Sequence, residues 1–70
     1  MAETLSVGDR PINLTQVLKL AGWVAHGGEA KALIADGMVR VNGEVETRKR
    51  KQMSLGDVVQ LEGGPSLTLV

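Results

Sequence analysis

The apolar residues of this chain change their period along its length, and that change restricts the folds open to it more than any other feature. Leu14, Val17, Leu18 and Ala21 recur at i, i+3, i+4 and i+7, one face of a helix. Asn13 precedes them as a candidate N-cap, because its side-chain oxygen can accept from a free amide of the first turn. Gly22 is placed to close the helix in the left-handed conformation. Trp23-Val24-Ala25 is a short apolar connector, and His26-Gly27-Gly28 breaks the pattern. A second helix is expected from Glu29, whose carboxylate suits the positive end of a helix. Ala30, Leu33 and Ile34 are its inner stripe, and Asp36-Gly37 stops it. Two helices this short must pack together to bury their stripes.

Outside this region the period is two. Thr4 to Val7 alternates as a short strand candidate. Met38 to Val41 alternates, Asn42-Gly43 follows, and Glu44-Val45-Glu46 continues, the pattern of a two-residue hairpin. Val39 and Val41 share one face and Arg40 takes the other. Leu55-Gly56-Asp57 reads as a turn, Val58 to Leu61 as a strand, Gly63-Gly64-Pro65 as a turn and Leu67 to Val70 as a last strand. The expected class is α+β, two short packed helices against a small, mainly antiparallel sheet. The last strand could lie at an exposed edge.

Composition limits what such a fold can do. Seventy residues make one small domain, residues 1–70, without room for a two-lobed cleft or a dinucleotide-binding fold. Trp23 is the only aromatic, so nine leucines, nine valines and two isoleucines must fill the core. Without cysteine there is neither a disulfide framework nor a thiolate zinc site nor thiol catalysis. The lone His26 has no second histidine as a metal partner, so no metal and no cofactor is expected. Its expected use is at the surface or in capping, with direct contact to a bound partner as the rival. Trp23 is expected to close the core, the rival being stacking on an unpaired base. No serine–histidine–acid cluster and no phosphate loop is visible, and Glu44 and Glu46 read as solvated strand residues; the chain is not expected to be an enzyme. The first ten residues lack the apolar centre of a signal peptide, and no apolar run approaches the length of a membrane span. A cytoplasmic, monomeric protein with no membrane association is expected.

The net charge is zero but unevenly laid out. Residues 1–47 carry −2 and residues 53–70 carry −2, while Arg48, Lys49, Arg50 and Lys51 carry +4 in consecutive positions. Such a block repels itself unless a counter-charge meets it. It is either a solvated loop or the contact for a polyanion.

The stretch from Gly28 to Gly43 resembles the RNA-binding domain named after small-subunit ribosomal protein S-four. Ala30, Leu33, Ile34 and Gly37 match its helix, Val39, Val41, Asn42 and Gly43 its hairpin, and Gly56-Asp57 before Val58-Val59 its later strand. The stand-alone bacterial YbcJ-like members are more similar still, through Leu18 to Gly22 and the run Glu46-Thr47-Arg48-Lys49-Arg50. The resemblance covers residues 12–61. The chain departs from the wider family at His26-Gly27, where many members have Ser-Arg, and at Asn13-Leu14-Thr15, where they have Arg-Leu-Asp.

The resemblance implies an alpha-L motif with a basic face against structured RNA, ribosomal RNA or tRNA, and an association with the ribosome or a ribosome-associated protein. The expected RNA-binding residues are Arg48, Lys49, Arg50 and Lys51, extended by Lys31 and Arg40 if their faces adjoin, and by the backbone at Gly27 and Gly28, where the amides of Gly28 and Glu29 could meet a phosphate. Lys19 is expected to face solvent with minor electrostatic value. The alternative is a protein-interaction module whose basic run meets an acidic partner.

Overall fold

The computed structural model describes residues 2–70. Strand β1 (Ala2–Leu5) is followed by helix α1 (Leu14–Leu20) and helix α2 (Gly27–Ala35). Strands β2 (Val39–Val41), β3 (Glu44–Val45), β4 (Val58–Leu61) and β5 (Ser66–Leu69) complete the chain. The five strands form one sheet in the order β1-β5-β4-β2-β3. Every pairing is antiparallel except β1 with β5, which is parallel in the register Glu3↔Leu67 and Leu5↔Leu69.

Both helices are set by local chemistry. Asn13 and Gln16 form a reciprocal capping box: the Gln16 amide donates to Asn13 Oδ1 at 2.9 Å and the Asn13 amide to Gln16 Oε1 at 2.9 Å. Each helix ends in a Schellman motif. In α1 the amides of Gly22 and Trp23 donate to the carbonyls of Lys19 and Leu18, and in α2 those of Gly37 and Met38 donate to Ile34 and Leu33. Gly37 takes φ +74, a conformation in which a β-carbon would be strained, and so turns the chain straight into β2.

The hairpin is the two-residue kind. Asn42 and Gly43 have φ of 52 and 86, and Val41 faces Glu44 across the turn. Asn42 also reaches across to β4, accepting from the Val58 amide at 2.9 Å and donating from Nδ2 to Asp57 at 3.1 Å. One side chain thus sets the hairpin turn and the entry of the next strand.

The core lies between the helix pair and one face of the sheet. Leu14, Val17 and Leu18 of α1 and Ala30 and Ile34 of α2 meet Val39, Val59, Leu67 and Leu69, and each of these is at most 2% exposed. Trp23 is half-buried and packs on this cluster, in keeping with a core role. Among the described residues no helix is long and apolar enough to cross a membrane.

Three boundaries differ from the sequence reading. The first strand is Ala2–Leu5 rather than Thr4 to Val7, because pairing in register with β5 places it. The ladder thins past Leu5, continuing through the Val70 amide on the Leu5 carbonyl and the Val7 amide on the Val70 carbonyl. The last strand is Ser66–Leu69 and is no edge: it lies between β1 and β4. Helix α2 starts at Gly27 rather than Glu29, because the His26 imidazole caps it, accepting at Nδ1 from the Glu29 amide at 3.3 Å.

Candidate nucleic-acid interface

The basic run is a tight turn docked on the start of α1. The Lys51 amide donates to the Arg48 carbonyl at 3.1 Å and closes the turn. The Leu14 amide then donates to the Lys51 carbonyl at 2.9 Å, and the Thr15 amide to the Lys49 carbonyl at 3.3 Å. Thr15 Oγ1 donates to the same Lys49 oxygen at 2.7 Å. An isolated antiparallel bridge between Asn13 and Gln52 continues the contact. The first amides of a helix have no partner within it, and carbonyl oxygens suit its positive end. The basic segment supplies those oxygens from its backbone, which leaves its side chains out of that contact. Arg48, Lys49 and Arg50 are exposed and Lys51 is half-buried.

The four cations are not equivalent. Glu46 accepts from Arg48 Nε at 2.9 Å, from Arg48 Nη2 at 3.0 Å and from the Arg48 amide at 3.0 Å. Its side chain is only 12% exposed, so the expectation of a solvated strand residue does not hold. The Arg48 guanidinium hydrogen bonds hold the Glu46 carboxyl down to about 2, against a partial opposing effect of burial. Arg48 is in turn raised, chiefly by its hydrogen bond to Glu46. Arg48 is therefore a strut within the segment. Lys49, Arg50 and Lys51 form no ion pair among the described residues.

The start of α2 lies beside this turn. A β-carbon built on Gly27 would sit 3.9 Å from Thr15 Cγ2, so Gly27 packs on the residue that holds Lys49. Lys31 is exposed one helical turn further along the same side. Gly28 faces the cap: a β-carbon there would come within 3.3 Å of His26 Nδ1. The Glu29 amide, expected to be free, is taken by His26, and the Glu29 carboxylate accepts from the Ala25 amide at 2.8 Å.

Arg40 does not join this group. It alternates with Val39 and Val41, which face the helices, so it lies on the other face of the sheet. There its Nε meets Glu62 Oε2 at 2.9 Å. The sequence left open whether its face adjoins the basic run; strand alternation puts it on the sheet face away from the helix pair.

Two residues of the site were not anticipated, Thr15 and Glu46. A threonine in the first turn of an apolar-periodic helix, and a glutamate two positions before an arginine, were the available signals. Both acquire their roles only when residues far apart in sequence or folded back on themselves are brought together. Among the described residues no group of three or more histidine and acidic side chains could hold a metal.

A helix pair, a following hairpin and a basic turn at the first helix's start define an alpha-L type module. The chain belongs to the S4 domain family, whose model matches residues 5–69. It is 46% identical over 61 residues to YbcJ of Escherichia coli (strain K12), covering 86% of this chain and 87% of that protein. It is 39% identical over 70 residues to the probable ribosome maturation protein RlbA of Bacillus subtilis (strain 168), covering 100% and 99%. The solution structure of Escherichia coli YbcJ, described as revealing an alpha-L motif involved in RNA binding, superposes with a TM-score of 0.74 at 44% identity. That match covers 96% of this chain and 85% of YbcJ.

Proposed function

We propose that this protein is a non-catalytic RNA-binding module that docks a basic face on structured RNA, ribosomal RNA or tRNA, in association with the ribosome. The observation that carries the reading is the turn at residues 48–51, pinned by its backbone to α1, with Lys49 and Arg50 exposed, Lys51 half-buried, and none of the three in an ion pair among the described residues. Helical RNA presents phosphates at regular spacing and little base-edge information, so a rigid cluster of cations suits shape and backbone recognition. Lys31 and the backbone at Gly27 and Gly28 flank the cluster and extend the face; Arg48 serves it as a strut and Arg40 lies outside it. The αL motif reported for YbcJ supports the RNA partner, and the name of RlbA supports the ribosome. The protein acts as a monomer in the cytoplasm and carries no reaction of its own.

The test is fluorescence anisotropy with a structured ribosomal RNA fragment over a range of salt. Three phosphate contacts give a log–log slope of about −2 to −3. The Lys49→Ala/Arg50→Ala/Lys51→Ala variant is expected to bind weakly with a nearly flat slope. Absence of binding by the wild type at low salt would refute the reading and direct the search to nuclease-resistant protein partners.

A further inference from the structure

We infer that Thr15 is the positioning residue of the RNA face: its side chain holds the apex of the basic turn against both helices, and RNA affinity depends on that joint. The inference rests on the RNA-binding reading above. Among the described residues Thr15 is the one buried polar side chain, 8% exposed. Its Oγ1 and its amide both donate to the Lys49 carbonyl, at 2.7 and 3.3 Å. Its methyl group faces Gly27 at the start of α2, where a β-carbon would lie 3.9 Å from it. A single side chain therefore touches the turn that carries the cations and the helix that carries Lys31.

The other bonds of the turn do different work. The Glu46–Arg48 pair and the Lys51–Arg48 bond lie within residues 46–51, so they stiffen the turn without fixing where it points. The Leu14–Lys51 bond and the Asn13–Gln52 bridge fix its C-terminal end. Among the described residues, the hydrogen bonds that reach Lys49 from outside the segment come from Thr15. Removing the hydroxyl leaves the longer amide bond as the tie at the apex. The cations would remain, but their spacing would no longer be held ready, and binding would bear the cost of ordering them.

Thr15→Val keeps the shape and removes the hydroxyl, whereas Thr15→Ser keeps the hydroxyl. Both are to be compared with wild type by anisotropy against the same ribosomal RNA fragment across salt, by melting, and by backbone 15N relaxation at Lys49 and Arg50 in the free protein. Loss of one such hydrogen bond corresponds to a roughly three- to tenfold weaker affinity. The expected result is that loss for Thr15→Val in the fully folded protein, with a shallower salt slope and greater mobility at Lys49 and Arg50, and recovery of most of the affinity in Thr15→Ser. If the valine variant does not fold, Thr15→Ala is measured in its place. Wild-type affinity and slope in the valine or alanine variant would overturn the inference, as would a serine variant as weak as the valine. A loss that merely tracks the unfolded fraction would overturn it too. No binding by the wild type itself overturns the RNA-binding reading and this inference with it, an outcome visible before any variant is made.

Discussion

The Glu46 carboxylate does the most varied work of any single side chain here. It accepts three hydrogen bonds from one residue, two from the Arg48 guanidinium and one from its amide. The pairing holds the carboxyl at about 2 in the folded protein, against an ordinary value of 4.5. A depressed folded-state value means that Glu46 contributes stability fully above 4.5 and loses it as pH falls toward 2. Melting temperatures of wild type and Glu46→Gln are expected to differ most at neutral pH and to converge as pH falls through that window. Parallel melting curves across it would remove Glu46 from the account. Arg40 supplies a contrast. Its ion pair with Glu62 is on the sheet face away from the helices, and its side chain is 38% exposed. Arg40→Ala is expected to leave RNA affinity and salt slope within about twofold of wild type, and to change stability by less than about 1 kcal/mol. A flattened slope in that variant would place the RNA face elsewhere.

At the scale of elements, the helices and the hairpin were legible because their determinants are near neighbours. Asn13 caps four residues of chain, Gly37 ends a helix within one turn, and Asn42-Gly43 closes a hairpin across two residues. The boundary of α2 was less legible, since His26 is an uncommon cap and two glycines after it look like a loop. Asn42 binds two scales together, because its positive φ serves the hairpin and its amide group serves β4. Asn42→Ala keeps the left-handed backbone but loses the short polar side chain that favours it, and removes two hydrogen bonds, so a loss of about 2–3 kcal/mol is expected in chemical denaturation. Asn42→Gly, which relieves the backbone, is expected to recover part of that loss. Equal losses in the two variants would assign the whole effect to the contacts with β4.

On the scale of the whole molecule, the parallel pairing of the first and last strands adds β1 as one edge of the sheet. β1 covers the outer edge of β5, and Leu5 packs on the core beside it. A chain lacking residues 1–5 is expected to lose roughly 2–3 kcal/mol of stability, from lost apolar burial and strand pairing. It would also present β5 as an open edge, so self-association visible by light scattering is expected. A truncated chain as stable and as monomeric as the full one would show that β1 is dispensable.

The amino-acid sequence by itself determined helix α1 with its Asn13 cap, the Gly37 stop of α2, the Asn42-Gly43 hairpin and the concentration of positive charge at residues 48–51, because each depends on residues within one helical turn or one hairpin. It carried the family as well, since the matching residues stand in a fixed order. The tertiary structure decided the rest. It paired β1 with β5 across the length of the chain, sent Arg40 to the far face of the sheet, and set the basic turn on the free amides of α1. It also set one cation apart from its neighbours, tying Arg48 to Glu46 while Lys49, Arg50 and Lys51 form no ion pair among the described residues. The physical reason is the same in each case. An unpartnered backbone amide, a half-buried carboxylate and an open strand edge state what must be satisfied, but the group that satisfies each one becomes known only when the core has brought it within reach.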